Sequence, residues 1–232
     1  METATNPAPQ TSRWCEVHYL GRVPYAEGLA IQAQAVDQLK DGVGGEHLYL
    51  LEHPHVFTLG RSAKAAHILA SQDELDAQGI EVHDIGRGGD VTYHGEGQLV
   101  GYPIINLKPD RQDVLRYVRD LEEMLIRVLA EYGIAGARIQ GLTGVWVGNE
   151  NIAAIGVRIA RWITSHGFAL NVSTDLKYFQ MIVPCGIPDK GVTSIEKLLS
   201  RKVTMQEVAE CTSHHFAHIF ARRVTETRTR DV

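Results

Sequence analysis

Cysteine is scarce and scattered in this chain: Cys15, Cys185 and Cys211 are the three among 232 residues, and no two form a CxxC pair. That excludes a disulfide framework and leaves each sulfur to be read as a free thiol. Basic residues are outnumbered as well. Lys and Arg total 23 against 28 Asp and Glu, a net charge of −5, which argues against a general nucleic-acid binder, whose phosphate contacts need a basic excess. No apolar run approaches the ~20 residues of a membrane span. The start METATNPAPQTS lacks the cationic segment and apolar core of a secretory signal. Phosphate-cradling signals are missing too: there is no GxxxxGKS or GxxxxGKT, and GEGQLVG spaces its glycines one residue too long for the dinucleotide fingerprint. These absences point to a cytoplasmic protein without a membrane or nucleic-acid partner.

What is present reads as one folded domain over residues 13–224. Residues 1–12 are polar and proline-bearing, and 225–232 (TETRTRDV) offer no apolar face, so both are expected to be flexible tails. Between them the pattern predicts a strand near 14–20, a helix over YAEGLAIQAQAVDQLKD, and two apolar runs broken at His53 and Pro54. A short helix DELDAQG precedes strands and tight loops in EVHDIGRGGDVTYHGEGQLVGYPIINL. The clearest helix is DVLRYVRDLEEMLIRVLAEYG, with Asp113 as N-cap, Gly133 as stop, and Val114, Val118, Leu121, Leu125, Val128 and Tyr132 on its buried face. GVWVGNENIAAIGVRIARW reads as two strands joined at GNEN, and 204–224 as a late helix. The fold class is therefore α/β (α+β), a mixed sheet flanked by helices.

Cys185 stands apart from the other two thiols, which lie in a strand and a helix where packing is the default. It sits between Pro184 and Gly186, where a fixed φ followed by a permissive residue suggests a strand turning sharply. His214 and His218 have the spacing of a metal pair, but no third ligand is evident and a solvated face is expected. No metal site is expected.

Four stretches in register, LLEHPHVFTLGR, RGGDVTYHGEGQLVGYPI, IAAIGVRIARWITSHGFALNV and IVPCGIPDKGVTSI, closely resemble the lipoyl(octanoyl) transferases. The resemblance runs from about Trp14 to the late helix. It implies a fold similar to the lipoate and biotin protein ligases, and transfer of an octanoyl or lipoyl group from acyl carrier protein to a lysine of lipoyl domains. Those domains belong to 2-oxoacid dehydrogenase E2 subunits and the glycine cleavage H protein. A monomer without a cofactor is implied. Cys185 would be the nucleophile that carries the acyl group as a thioester, an exchange nearly balanced in energy that needs no ATP. Substrate-binding stretches would be Arg87, Gly88, Gly89, Asp90, Val91, Thr92, Tyr93 and His94, then Ala154, Ile155 and Gly156, then Gly167, Phe168 and Ala169. Arg61, Arg87 and Arg158 are candidates for receiving acidic partners.

One position departs from the family. The lysine that lowers the thiol pKa falls, by resemblance, at Asn151, and an amide can neither take a proton nor carry the charge that favours a thiolate. Impaired activity is one expectation, with Asn151 as a turn residue of GNEN. Replacement of the lysine by His94, His166 or Lys190 is another. A non-catalytic acyl-binding module and an ATP-dependent ligase are the alternative functions.

Overall fold

The computed structural model describes residues 13–186 and 190–228; the 1–12 tail lies outside them. In chain order the strands are β1 (Arg13–Arg22), β2 (Glu46–Glu52), β3 (Val56–Leu59), β4 (Glu81–Asp84), β5 (Val91–His94), β6 (Gln98–Ile104), β7 (Val145–Val147), β8 (Glu150–Ala160), β9 (Ile163–Asn171), β10 (Gly191–Val192) and β11 (Arg222–Arg228). The helices are α1 (Tyr25–Asp41), α2 (Gln72–Ala77), α3 (Val114–Glu131), α4 (Ile195–Leu199) and α5 (Met205–Phe220). β10, β8, β9, β6, β2, β1 and β11 form a mixed sheet in that order, with β7 also paired to β8, and β4, β3 and β5 form a second, small sheet. Among the described residues no helix is long and apolar enough to cross a membrane.

Alternation along β2 sets the layers. Leu48 and Leu50 enter a core with Leu121, Leu125 and Val128 of α3 and Val208 and Phe216 of α5, while Tyr49 and Leu51 enter a second core with Ala35 of α1. Helices thus cover both faces of the large sheet. The small sheet has its own core, in which Phe57, Val91 and Tyr93 meet Tyr178 and Phe179.

Several expectations are met at their ends: α1 spans the predicted residues, and the Asp113 side chain caps α3 by accepting from the Arg116 N–H at 3.0 Å. Others need correction. Val114 is 49% exposed, and the buried stripe of α3 instead includes Tyr117, Glu122, Met124 and Leu129, because the helix turns its face toward both the sheet and α5. The tail boundary at 224 cuts a strand. β11 pairs in parallel with β1, from Arg13↔Arg222 to Tyr19↔Arg228, so backbone hydrogen bonds rather than an apolar face order residues that composition reads as flexible. Residues 229–232 lie outside the described part.

Candidate active site

Two adjoining spaces are formed where β5 of the small sheet faces β6, β8 and β9 of the large one. The larger is a cavity of about 320 Å³, within the range of small-molecule sites. Of the residues singled out from sequence, Arg87, Gly89, Asp90, Val91, Thr92, His94, Ala154, Ile155, Gly156, Gly167, Phe168 and Ala169 all line it. Three separate segments are thereby gathered into one wall. Gly156 is small for a reason: a Cβ there would lie 2.9 Å from both Gly88 O and Arg87 Cδ. Gly88 itself is one residue back from the wall, its N–H bonded to Val157 O at 3.0 Å.

Tyr93 turns away altogether. Its side chain points into the small-sheet core, stacked on Tyr178 at 5.1 Å, with the hydroxyl 2.8 Å from His55 Nδ1. Strand alternation explains why it leaves the cavity to its neighbours Thr92 and His94. Sequence reading also missed Tyr25, Ser62, Val100, Tyr102, Gly141, Leu142 and Thr143, which with His166 complete the lining. These come from helix, strand and loop positions with no local signal of their own.

Polar groups in the cavity are tied together. Arg87 donates through Nη2 to Thr58 O at 2.6 Å and to Thr58 Oγ1 at 2.8 Å. Gln98 spends its Nε2 hydrogens on Tyr93 O and Asn171 Oδ1, at 3.2 and 2.9 Å, so its Oε1 accepts from His94 Nδ1 at 2.8 Å. That fixes the His94 tautomer and turns the Nε2 lone pair toward the Thr58 hydroxyl, 3.5 Å away. Burial, with the nearby His53 adding to it, lowers His94 to a pKa of about 3. Burial, reinforced by the charges of Arg87 and Arg158, lowers His166 to about 4. Both imidazoles are neutral at physiological pH and are weak bases. His166 also sits at φ 55, a backbone region costly for a residue with a Cβ, and its N–H is held by Gln32 Oε1 at 2.7 Å.

The second space is a narrow cleft that shares Thr92, Ala154 and Ala169 with the cavity and is otherwise lined by residues including Trp146, Asn151, Asn171, Pro184 and Lys190. Asn151 is not a turn residue. The turn ends at Asn149, and Asn151 lies in β8, 9% exposed, with Nδ2 donating to Val145 O at 3.3 Å and Ala153 O at 3.2 Å. Thr193 N–H closes β10 onto it through Asn151 O at 2.9 Å, and Asn171 Nδ2 donates to Thr193 O at 3.0 Å. The hydrogen-bond path from Arg87 through Thr58, His94, Gln98 and Asn171 therefore ends beside Asn151. Lys190 donates to Asn149 Oδ1, a neutral acceptor. The Trp146 indole N–H is buried and has no protein partner among the described residues.

Cys185 is the middle residue of the 3-10 turn Pro184–Gly186, rather than the strand end expected from sequence. Gly186 adopts φ 69, and its N–H bonds to Val183 O at 3.0 Å while Val183 N–H bonds to His67 O at 2.8 Å. The turn abuts Asp90, whose carboxylate takes His67 Nδ1 at 2.8 Å and the Val91 N–H at 2.6 Å. The other two cysteines are packed thiols: burial raises Cys15 well above the ordinary range and Cys211 to about 11.

A fully buried carboxylate went unnoticed in the sequence. Glu122 of α3 accepts from Arg119 at 2.7 Å, from Arg138 at 3.0 Å and from the Gly144 N–H at 3.1 Å. It thereby anchors the end of the loop whose Gly141, Leu142 and Thr143 close the cavity. Two glutamates in a row on a charged helix carry no sign of which one faces inward.

Residues 24–217 match the lipoyl protein ligase A/B catalytic domain. An octanoyltransferase of Solibacter usitatus is 55% identical over 208 residues, covering 90% of this chain and 94% of that protein. The chain belongs to the octanoyltransferase family. A second member, from Koribacter versatilis, is 50% identical over 90% of this chain and 85% of its own length. In three dimensions the fold matches a bi-partite lipoate protein ligase of Thermoplasma acidophilum, solved in a study with its E2 lipoyl domain, with a TM-score of 0.74 over 94% of this chain and 88% of that one. Sequence identity there is 16%, so that likeness speaks to the mixed α/β fold alone. Acyl transfer is the activity of the family, and both its fold and its chemistry agree with the resemblance read from sequence.

Proposed function

We propose that the chain transfers an octanoyl group in two steps through Cys185. The Cys185 thiolate attacks the thioester carbonyl of an octanoylated acyl carrier protein, whose thiolate leaves and takes up a proton. A lysine amine of a lipoyl domain then attacks the new thioester, forming the amide, losing a proton and releasing the cysteine. Acceptors on this reading are lipoyl domains of 2-oxoacid dehydrogenase E2 subunits and the glycine cleavage H protein. One chain builds both cavity and cleft, so a monomer suffices. A catalytic thiol needs a reducing compartment, which is the cytoplasm.

The observation that carries the reading is the sharing of Thr92, Ala154 and Ala169 between the cavity and the cleft bounded by Pro184, next to Cys185. An acyl chain held in the cavity would reach its carbonyl toward that boundary. The cation that favours the thiolate is, on this reading, Lys190. His94 and His166 are held neutral, whereas Lys190 lines the cleft with Asn151 and Pro184 and, among the described residues, its charge is met by an amide rather than a carboxylate.

Intact mass after incubation with octanoyl-acyl carrier protein tests this. One hydroxylamine-labile octanoyl adduct is expected on the unmodified chain and none on Cys185→Ser. An adduct that survives in Cys185→Ser, or no adduct at all, would refute the proposal.

A further inference from the structure

Glu16 and His18 are two apart on β1, and the register Glu16↔His47 and His18↔Tyr49 sets His47 of β2 beside them on the same face of the sheet. His18 Nε2 lies 3.0 Å from His47 Nδ1, and Glu16 Oε2 lies 3.6 Å from the first and 3.9 Å from the second. Donor atoms at the corners of a tetrahedron around an ion with bonds of about 2.0–2.1 Å are about 3.3 Å apart. The three observed separations bracket that edge.

Tyr49 keeps the two imidazoles in place. It stacks on His18 at 4.9 Å and on His47 at 5.5 Å, with interplanar angles of 22° and 18°. Both rings are largely buried while Glu16 is 55% exposed, so an ion could enter from the Glu16 side and keep water in its remaining position. Two imidazoles and one carboxylate suit zinc and its first-row neighbours and are a poor match for magnesium or calcium, which demand oxygen.

We infer that Glu16, His18 and His47 form a binding site for a first-row divalent transition ion, zinc in the first instance, that fastens β1 to β2. From sequence, His214 and His218 have the spacing of a metal pair but are expected to form a solvated face, and no metal site is expected; the pair whose nitrogens meet comes from different strands, and no spacing rule along the chain would find it. The site stands apart from the acyl-transfer chemistry and does not depend on it.

The test uses the full chain after chelation and dialysis, titrated with zinc chloride by calorimetry and with cobalt(II) by visible absorption. One ion per chain is expected, with affinity at least about tenfold weaker in His18→Gln and in His47→Gln and a smaller loss in Glu16→Gln. The cobalt spectrum should show nitrogen and oxygen ligation without a sulfur charge-transfer band. Retained octanoyl transfer by the histidine variants would show that they are folded. No saturable binding, affinity unchanged in both histidine variants, or a sulfur band placing the ion on a cysteine would each overturn the assignment.

Discussion

The cavity under α1 and the cleft beside Asn151 meet at Thr92, Ala154 and Ala169, yet they differ in how they treat charge. Around the cavity, burial strips protons from His53, His94 and His166, holding their pKa values at about 4, 3 and 4. Arg87 is spread over the oxygens of Thr58 and Gly88. The cleft instead presents an amide, an indole N–H that has no protein partner among the described residues, and a lysine that donates to the neutral amide of Asn149. A space that silences its titratable groups suits an acyl chain. One that, among the described residues, leaves a cation without a carboxylate and an indole donor without a partner suits charge developing on sulfur and oxygen.

The largest test of that division is the proposed nucleophile. Cys185→Ser should abolish octanoyl transfer while leaving acyl binding in the cavity, measured by displacement of a fluorescent fatty acid. Loss of binding together with transfer would mean that the two spaces are not separable.

The histidines give the next largest effect. Each folded pKa lies below the ordinary 6.5, so the unfolded chain binds more protons between those values. Their contribution to stability is full above pH 6.5 and is lost as pH falls from there toward 4 and 3. Each group costs about 1.4 kcal/mol per pH unit in that window. Urea unfolding at pH 7 and pH 5 should show a large fall in midpoint, partly restored by His94→Gln, whose amide keeps a donor for Gln98. An unchanged midpoint would show that the cavity histidines take up protons in the folded chain as readily as in the unfolded one.

On the cleft side, Lys190→Met should slow alkylation of Cys185 by iodoacetamide at pH 7 by about tenfold, a one-unit rise in thiol pKa. Placing a lysine at 151 in the same chain, as Asn151→Lys with Lys190→Met, should restore the rate. A flat response to Lys190→Met, with a large gain from Asn151→Lys alone, would instead favour the reading in which Asn151 impairs the enzyme.

How much of this was legible in the sequence differs between the same two regions. The three glycine-bearing stretches of the cavity wall were, apart from Gly88 and Tyr93, because their glycines and small residues cluster and a glycine has a reason wherever a Cβ would collide, as at Gly156. Tyr93 failed because a stretch read as a unit ignores that alternate strand residues face opposite ways. Cleft geometry was hidden: Asn151 reads as a turn residue until β10 pairs with β8, a contact between segments about forty residues apart. The same holds for β11, which no local pattern announces because its order comes from β1, at the other end of the chain. Long-range backbone pairing is the information that local periodicity lacks.

The smallest effect concerns the loop that roofs the cavity. Glu122 is buried and receives Arg119, Arg138 and the Gly144 N–H, so Glu122→Gln keeps an acceptor but gives up the charge. Both arginines are partly exposed and can turn to water, which limits the cost to about 1–2 kcal/mol of hydrogen bonding. The loop carrying Gly141, Leu142 and Thr143 would then be less well ordered, and substrate binding would pay for ordering it. KM for the octanoyl donor should rise about threefold with kcat nearly unchanged, because the loop touches the cavity and not the cleft. A fall in kcat at constant KM would instead mean that the anchor acts through Asn151, whose Nδ2 lies 3.1 Å from where a Cβ on Gly144 would sit, and the cavity and the cleft would have to be treated as one mechanical unit.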